Sequence, residues 1–183
     1  MIRRRFVATI LKAGLLVAAT SFSGLVAAAD GDSSDVGSSS DQIFPDLINA
    51  DGSDAPVHPN IGNGKWTLVM MWATTCHICE IDKPLMSKLH EKHKDGDIEV
   101  FGISIEGHSK MPEVQSYLAK RDVSFPNSVG EFLTVGSSMQ NLTQESLRGT
   151  PTYLLFSPDG KIKAVQAGHL DPKVVENFVE SNS

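Results

Sequence analysis

An apolar run of strand length, Trp66-Thr67-Leu68-Val69-Met70-Met71-Trp72, leads within four residues into Cys76-His77-Ile78-Cys79, which holds the only two cysteines of the chain. Beyond them Ile78, Ile81, Leu85, Met86 and Leu89 recur at helical spacing up to about Lys94. A buried strand, a cysteine pair and a helix in that order leave few folds open. The first thiol falls at a helix N-terminus, where unpaired N–H groups and the helix dipole favour a thiolate. The second lies within reach, so a mixed disulfide on the first can be resolved inside the molecule. Two other readings of the spacing stand beside redox chemistry. A zinc site usually takes four ligands; no second cysteine pair exists, and although His77 lies inside the motif, the other histidines show no ligand spacing. A purely structural disulfide would close a very short loop and remove little entropy from the unfolded chain.

The N-terminus says where such a pair would work. Arg3, Arg4, Arg5 and Lys12 precede a mostly apolar stretch, Ala13 to Val26, and Ala27-Ala28-Ala29 follows. That pattern reads as an export signal over residues 1–29, with Asp30 as the mature N-terminus and a periplasmic product that is not embedded in the membrane after cleavage. Exported proteins meet compartments where disulfides form and persist. A pair kept there for stability would join distant segments, whereas these two cysteines are near neighbours. The formal net charge is −6, from 16 basic and 22 acidic residues, and loss of the basic leader makes it more negative. Nucleic acid and anionic lipid are disfavoured as partners.

Residues 30–42, mostly Ser, Gly and Asp, read as a disordered linker. One domain over 43–183 remains. Asp51-Gly52 and Asn63-Gly64 mark turns, so short strands or hairpin arms are expected over 43–61. Pro84 is expected to kink the helix that follows the cysteines. Further strands are expected over Ile98 to Ile105, Tyr153 to Phe156 and Ile162 to Ala167. The last two flank the turn Ser157-Pro158-Asp159-Gly160 and should be antiparallel. Helices are expected over Pro112 to Arg121, with Val114, Tyr117 and Leu118 inward, and over Pro172 to Val179, with Asp171 as N-cap. Residues 126–149 suggest one or two short helices. His90 and His93 are expected to face solvent, and His58, His108 and His169 to lie in loops. The alternation predicts an α/β class, a central sheet with helices on both faces.

At this level the chain resembles the thioredoxin-fold proteins, and within them the TlpA/ResA-like thiol-disulfide oxidoreductases. The likeness rests on Trp72-Ala73-x-x-Cys76-x-x-Cys79, on Gly149-Thr150-Pro151-Thr152-Tyr153, on Phe156-x-Pro158-x-Gly160-Lys161 and, more weakly, on Phe44-Pro45-Asp46-Leu47, in order from Ile43 to Val179. It implies a thioredoxin-like fold with a mixed sheet, an attacking Cys76 and a resolving Cys79. It further implies a cis Thr150-Pro151 bond against the disulfide, with Trp72 and Thr150 on the substrate side. Ordinary thioredoxins carry a buried acid where this chain has Met70. The TlpA/ResA-like branch instead places one three residues after the second cysteine, which here is Asp82, and an Asp at that place should work through a bridging water. Close to Met70 and Ile81 its pKa should be raised, while Glu80 should be a solvated acid. No cofactor and no metal is expected. The implied partners are periplasmic proteins with cysteine pairs, as in cytochrome c maturation, and a membrane electron donor. A reading from a different class is a copper-binding chaperone, holding Cu(I) between Cys76, Cys79 and a histidine or methionine.

Overall fold

Trp66–Trp72 is buried at all seven positions, as a strand covered on both faces must be. The structure, a computed structural model, describes residues 43–53 and 58–183; the expected signal peptide and linker lie outside the described residues. In chain order the elements are β1 (Ile48–Asn49), β2 (Trp66–Trp72), α1 (His77–His93), β3 (Ile98–Ser104), α2 (Met111–Ala119), β4 (Asn127–Val129), α3 (Phe132–Thr143), β5 (Thr152–Phe156), β6 (Ile162–Ala167) and α4 (Pro172–Glu180), with a short 3-10 turn at His108–Lys110. They form one six-stranded mixed sheet in the order β1-β4-β3-β2-β5-β6. β2 runs parallel to β3 and antiparallel to β5, with Met71 opposite Thr152. β3 and β4 are parallel, while β1–β4 and β5–β6 are antiparallel.

The period-two alternation of the strands divides the core into two layers. Trp66, Leu68, Met70 and Trp72 of β2 join Tyr153 and Leu155 of β5 on one face, beneath Cys79, Met86 and Leu89 of α1, Val114 and Tyr117 of α2, and Val175 and Val179 of α4. Val69, Met71, Phe101, Ile103, Leu154 and Phe156 form the other, against Val135 and Met139 of α3 and against Phe44, Leu47 and Ile61. Helices cover both faces, as expected.

The structure refines the sequence expectations at several places. Residues 127–129 are a strand: Asn127-Ser128-Val129 is too short and polar to announce itself, and it is fixed by pairing with β3 and β1. The segment after Ile43 holds a short strand, one of the two expected alternatives, and among the described residues that strand pairs with β4. His93 does not face open solvent, because its Nε2 lies 2.9 Å from Glu176 Oε1 of α4, which also takes the Lys92 ammonium at 2.7 Å. Helix α1 runs unbroken across Pro84, which sits on its exposed side.

Gly102 is required by what it faces. A Cβ there would overlap Asn127 Oδ1 and press on Phe125. Asn127 Oδ1 accepts from Trp72 Nε1 at 2.9 Å, and its Nδ2 donates to Phe125 O at 2.8 Å. Gly102→Ala is therefore expected to cost about 2–3 kcal/mol of stability in a denaturant titration, with altered Trp72 fluorescence.

Candidate active site

The carboxyl end of β2 delivers the chain into the N-terminus of α1. Cys76 is the N-cap, with extended backbone, and its Sγ accepts the backbone N–H of Cys79 at 3.1 Å. A sulfur in this place is stabilised as thiolate by the same donors that satisfy the helix end. Cys76 and Cys79 form a disulfide with Cα atoms 5.2 Å apart. Cys76 is partly exposed and Cys79 fully buried. His77 is exposed, and Ile78 is 41% exposed. A partner can therefore reach the first sulfur and not the second.

Glu106, beyond the end of β3, pins the approach to this loop. Its carboxylate accepts Thr74 N–H and Thr74 Oγ1–H, each at 2.7 Å. Sequence reading missed this residue, since nothing local marks an acid that lies thirty-two positions from its partner.

The β2–β5 register continues from Met71 opposite Thr152 to place Pro151 across from Trp72, at the edge where the cysteine loop begins. The Thr150-Pro151 bond is cis. Pro151 is buried and Thr150 half-buried. Gly168 N–H donates to Pro151 O at 2.9 Å, which ties the segment after β6 to the same edge.

Asp82 lies one turn beyond Cys79 on α1, fully buried. Its surroundings are not those expected. Ile81 points outward at 51% exposure, and the carboxylate is held by polar partners. Oδ2 accepts Tyr153 Oη–H at 2.7 Å and Leu170 N–H at 3.2 Å, while Oδ1 bonds to His169 Nδ1. Burial and the adjacent Asp82 carboxylate both push the Tyr153 phenol upward, so it stays a donor at every working pH. His169, expected only as a loop residue, is thus part of the site. The signal available was the β5–β6 hairpin, whose register sets Ala167 opposite Thr152 and so brings residues 168–170 to Pro151.

Trp72 corrects its expected place. It is fully buried and offers no surface to a substrate. Its indole supports the site from behind, with Lys83 Nζ 3.3 Å from the ring centre and Tyr117 packed at 5.3 Å. Lys83 Nζ also lies 4.5 Å from the Tyr117 ring. Burial, then the Arg121 guanidinium, pushes the Lys83 ammonium down to about 7. Glu80 is solvent-exposed, as expected, and pairs with Arg121 at 2.6 Å; that hydrogen bond holds its carboxyl below the usual range.

Among the described residues no group of three or more His, Cys, Asp or Glu is placed to hold a metal ion, and no helix is long and apolar enough to cross a membrane. What the arrangement can perform is thiol–disulfide exchange: an accessible sulfur at a helix N-terminus, a shielded second sulfur, and a buried carboxylate one turn away.

Comparison with known proteins agrees with this geometry. The model of the AhpC/TSA family matches residues 41–165. The thiol-disulfide oxidoreductase ResA of Halalkalibacterium halodurans is 28% identical over 117 residues, which are 64% of this chain and 62% of that protein. The chain thus spans less than two thirds of that relative's length. A thiol-disulfide isomerase from Corynebacterium glutamicum superposes with a TM-score of 0.55 at 25% identity, covering 66% of this chain and 81% of that one. A thioredoxin-family thiol:disulfide interchange protein from Chlorobium tepidum TLS gives a TM-score of 0.62 at 18% identity, over 74% of this chain and 92% of that one.

Proposed function

Because this chain belongs to the AhpC/TSA family and has the thioredoxin-like fold, we propose that it is a thiol-disulfide oxidoreductase that reduces disulfides of exported proteins through the Cys76/Cys79 dithiol. The observation that carries this reading is the disulfide at the N-terminus of α1, with its first sulfur accessible and its second buried. The Cys76 thiolate attacks a substrate disulfide, and one substrate thiolate leaves. Cys79 gives its proton to Asp82 and attacks Cys76 Sγ. The intermolecular bond breaks, the second substrate thiolate departs, and two electrons have passed from the dithiol to the substrate. Thr150 and the exposed Gly149 before it offer backbone to an extended substrate, as a sheet edge does. Trp72 fixes the loop from behind.

The basic and apolar pattern of residues 1–29 supports export and cleavage before Asp30. In the periplasm the oxidised pair needs a membrane electron donor, and the substrates are proteins with paired cysteines, such as apocytochromes c. The reduced protein is expected to reduce a disulfide-bonded Cys-x-x-Cys-His peptide at least about tenfold faster than the same concentration of a simple dithiol, because the helix N-terminus favours the attacking sulfur as thiolate. Stopped-flow fluorescence reads the rate. A rate no faster than that of the dithiol would overturn the reading.

A further inference from the structure

We propose that His169 carries protons between solvent and the buried Asp82, so that Cys79 is deprotonated and reprotonated through a Cys79–Asp82–His169 relay. The inference rests on the proposed redox function and goes beyond it in naming the path of the proton. Asp82 has no exposed surface, and of its three hydrogen-bond partners Tyr153 and Leu170 are buried. His169 alone of the three reaches water, its side chain being 55% exposed. A proton that Asp82 takes from Cys79 must leave a carboxyl group walled in by sheet and helix. The two groups on Oδ2 are fixed donors: a peptide N–H cannot accept a proton, and the Tyr153 phenol stays protonated. Only the imidazole on Oδ1 can both give and receive one.

The balance closes over a full cycle. On substrate reduction, the Cys79 proton passes to Asp82 and on to His169 Nδ1, and the imidazole releases its Nε2 proton to water. That leaves an oxidised pair, an ionised Asp82 and a neutral imidazole with its proton on Nδ1. Three donors then face the carboxylate, through the same three contacts that it makes beside the Cys76–Cys79 disulfide. When an electron donor re-reduces the pair, water protonates Nε2, Nδ1 returns its proton to Asp82, and Asp82 reprotonates Cys79. The imidazole ends in the starting tautomer, ready for the next turnover. Among the described residues Asp82 from α1 is hydrogen-bonded to His169, and Tyr153 from β5 lies across that carboxylate. On its own segment Asp171 is engaged as the N-cap of α4, accepting Lys173 N–H at 2.9 Å.

His169 is a positioning and proton-carrying residue, since it acts through Asp82. The test is single-turnover release of reduced substrate from the Cys76 mixed disulfide, in the full chain, for wild type, His169→Gln and His169→Asn. Both variants are expected to keep wild-type melting behaviour and wild-type alkylation of Cys76. Release should slow by about tenfold or more, become dependent on buffer concentration, and recover on addition of free imidazole. Wild type should show neither buffer dependence nor rescue. Release at the wild-type rate in both variants, from mildly acid to mildly alkaline pH, would overturn the relay. So would slowing that imidazole does not relieve, which would mark His169 as a mere structural support of Asp82. A wild-type protein that forms no mixed disulfide at all would instead defeat the functional reading on which the relay rests.

Discussion

Cys79→Ala protein, mixed in its reduced form with a disulfide-bonded substrate, is expected to accumulate as a covalent adduct through Cys76, while Cys76→Ala forms none. The asymmetry follows from access and from electrostatics. Cys76 is partly exposed and takes a backbone N–H at the end of α1, whereas Cys79 is shut in the core. With Cys79 present, resolution is intramolecular, and well-oriented neighbours react at effective concentrations far above any external thiol. Steady-state turnover by either variant should therefore fall on the order of 10³-fold or more. Non-reducing electrophoresis and mass spectrometry of the adduct provide the check. Equal trapping by both variants would refute the assignment of attacker and resolver.

Lys83→Met should raise stability at neutral pH by about 2–3 kcal/mol. The lysine head is buried over Trp72 and Tyr117, with no hydrogen-bond acceptor among the described residues. Two effects compete there. Desolvation, assisted by Arg121, disfavours the ammonium; the two aromatic faces favour it by about 1–2 kcal/mol. Desolvation wins: a group pushed down from 10.5 to about 7 loses more than the two rings return. The sign of the pH dependence follows. Between about 7 and 10.5 the unfolded chain holds a proton on Lys83 that the folded chain has released. Stability therefore rises with pH through that window, and below about 7 the whole penalty is present. Methionine fills similar volume without the charge, so it should remove both the penalty and the slope. Urea unfolding at pH 6.5, 8 and 10 measures this. A variant less stable than wild type at all three, with the slope intact, would mean that the cage holds a stable cation.

How much could be read in advance depended on the range of the forces involved. Trp66–Trp72, the Cys76 N-cap, the Ser157–Gly160 turn and Asp171 before α4 are set by neighbours in sequence, and their elements lie where the pattern put them. β4 was hidden because Asn127-Ser128-Val129 owes its extended form to β3 and β1. The site divides in the same way. The two cysteines and Asp82 share one local run. Trp72 carried a local motif, yet its burial under Lys83 depends on Tyr117 of α2. Lys83 carries no local sign of burial, and only the two rings that receive its head make it an interior residue. Glu106 and His169 reach the site from thirty-two and eighty-seven positions away from their partners, which no periodicity records.

The sheet order has a consequence for the chain before it is finished. β3, the parallel neighbour of β2, follows it closely, but the neighbour on the other side is β5, which begins eighty residues after β2 ends. Pro151, Tyr153, His169 and Leu170 all arrive with β5, β6 and the turn beyond. Until they dock, Asp82 has none of its partners and the cysteine pair is an ordinary dithiol on a helix end. Selective chemistry thus needs the C-terminal segment in place, and a nascent or truncated chain that lacks its final forty residues carries the sulfurs without the machinery that disciplines them.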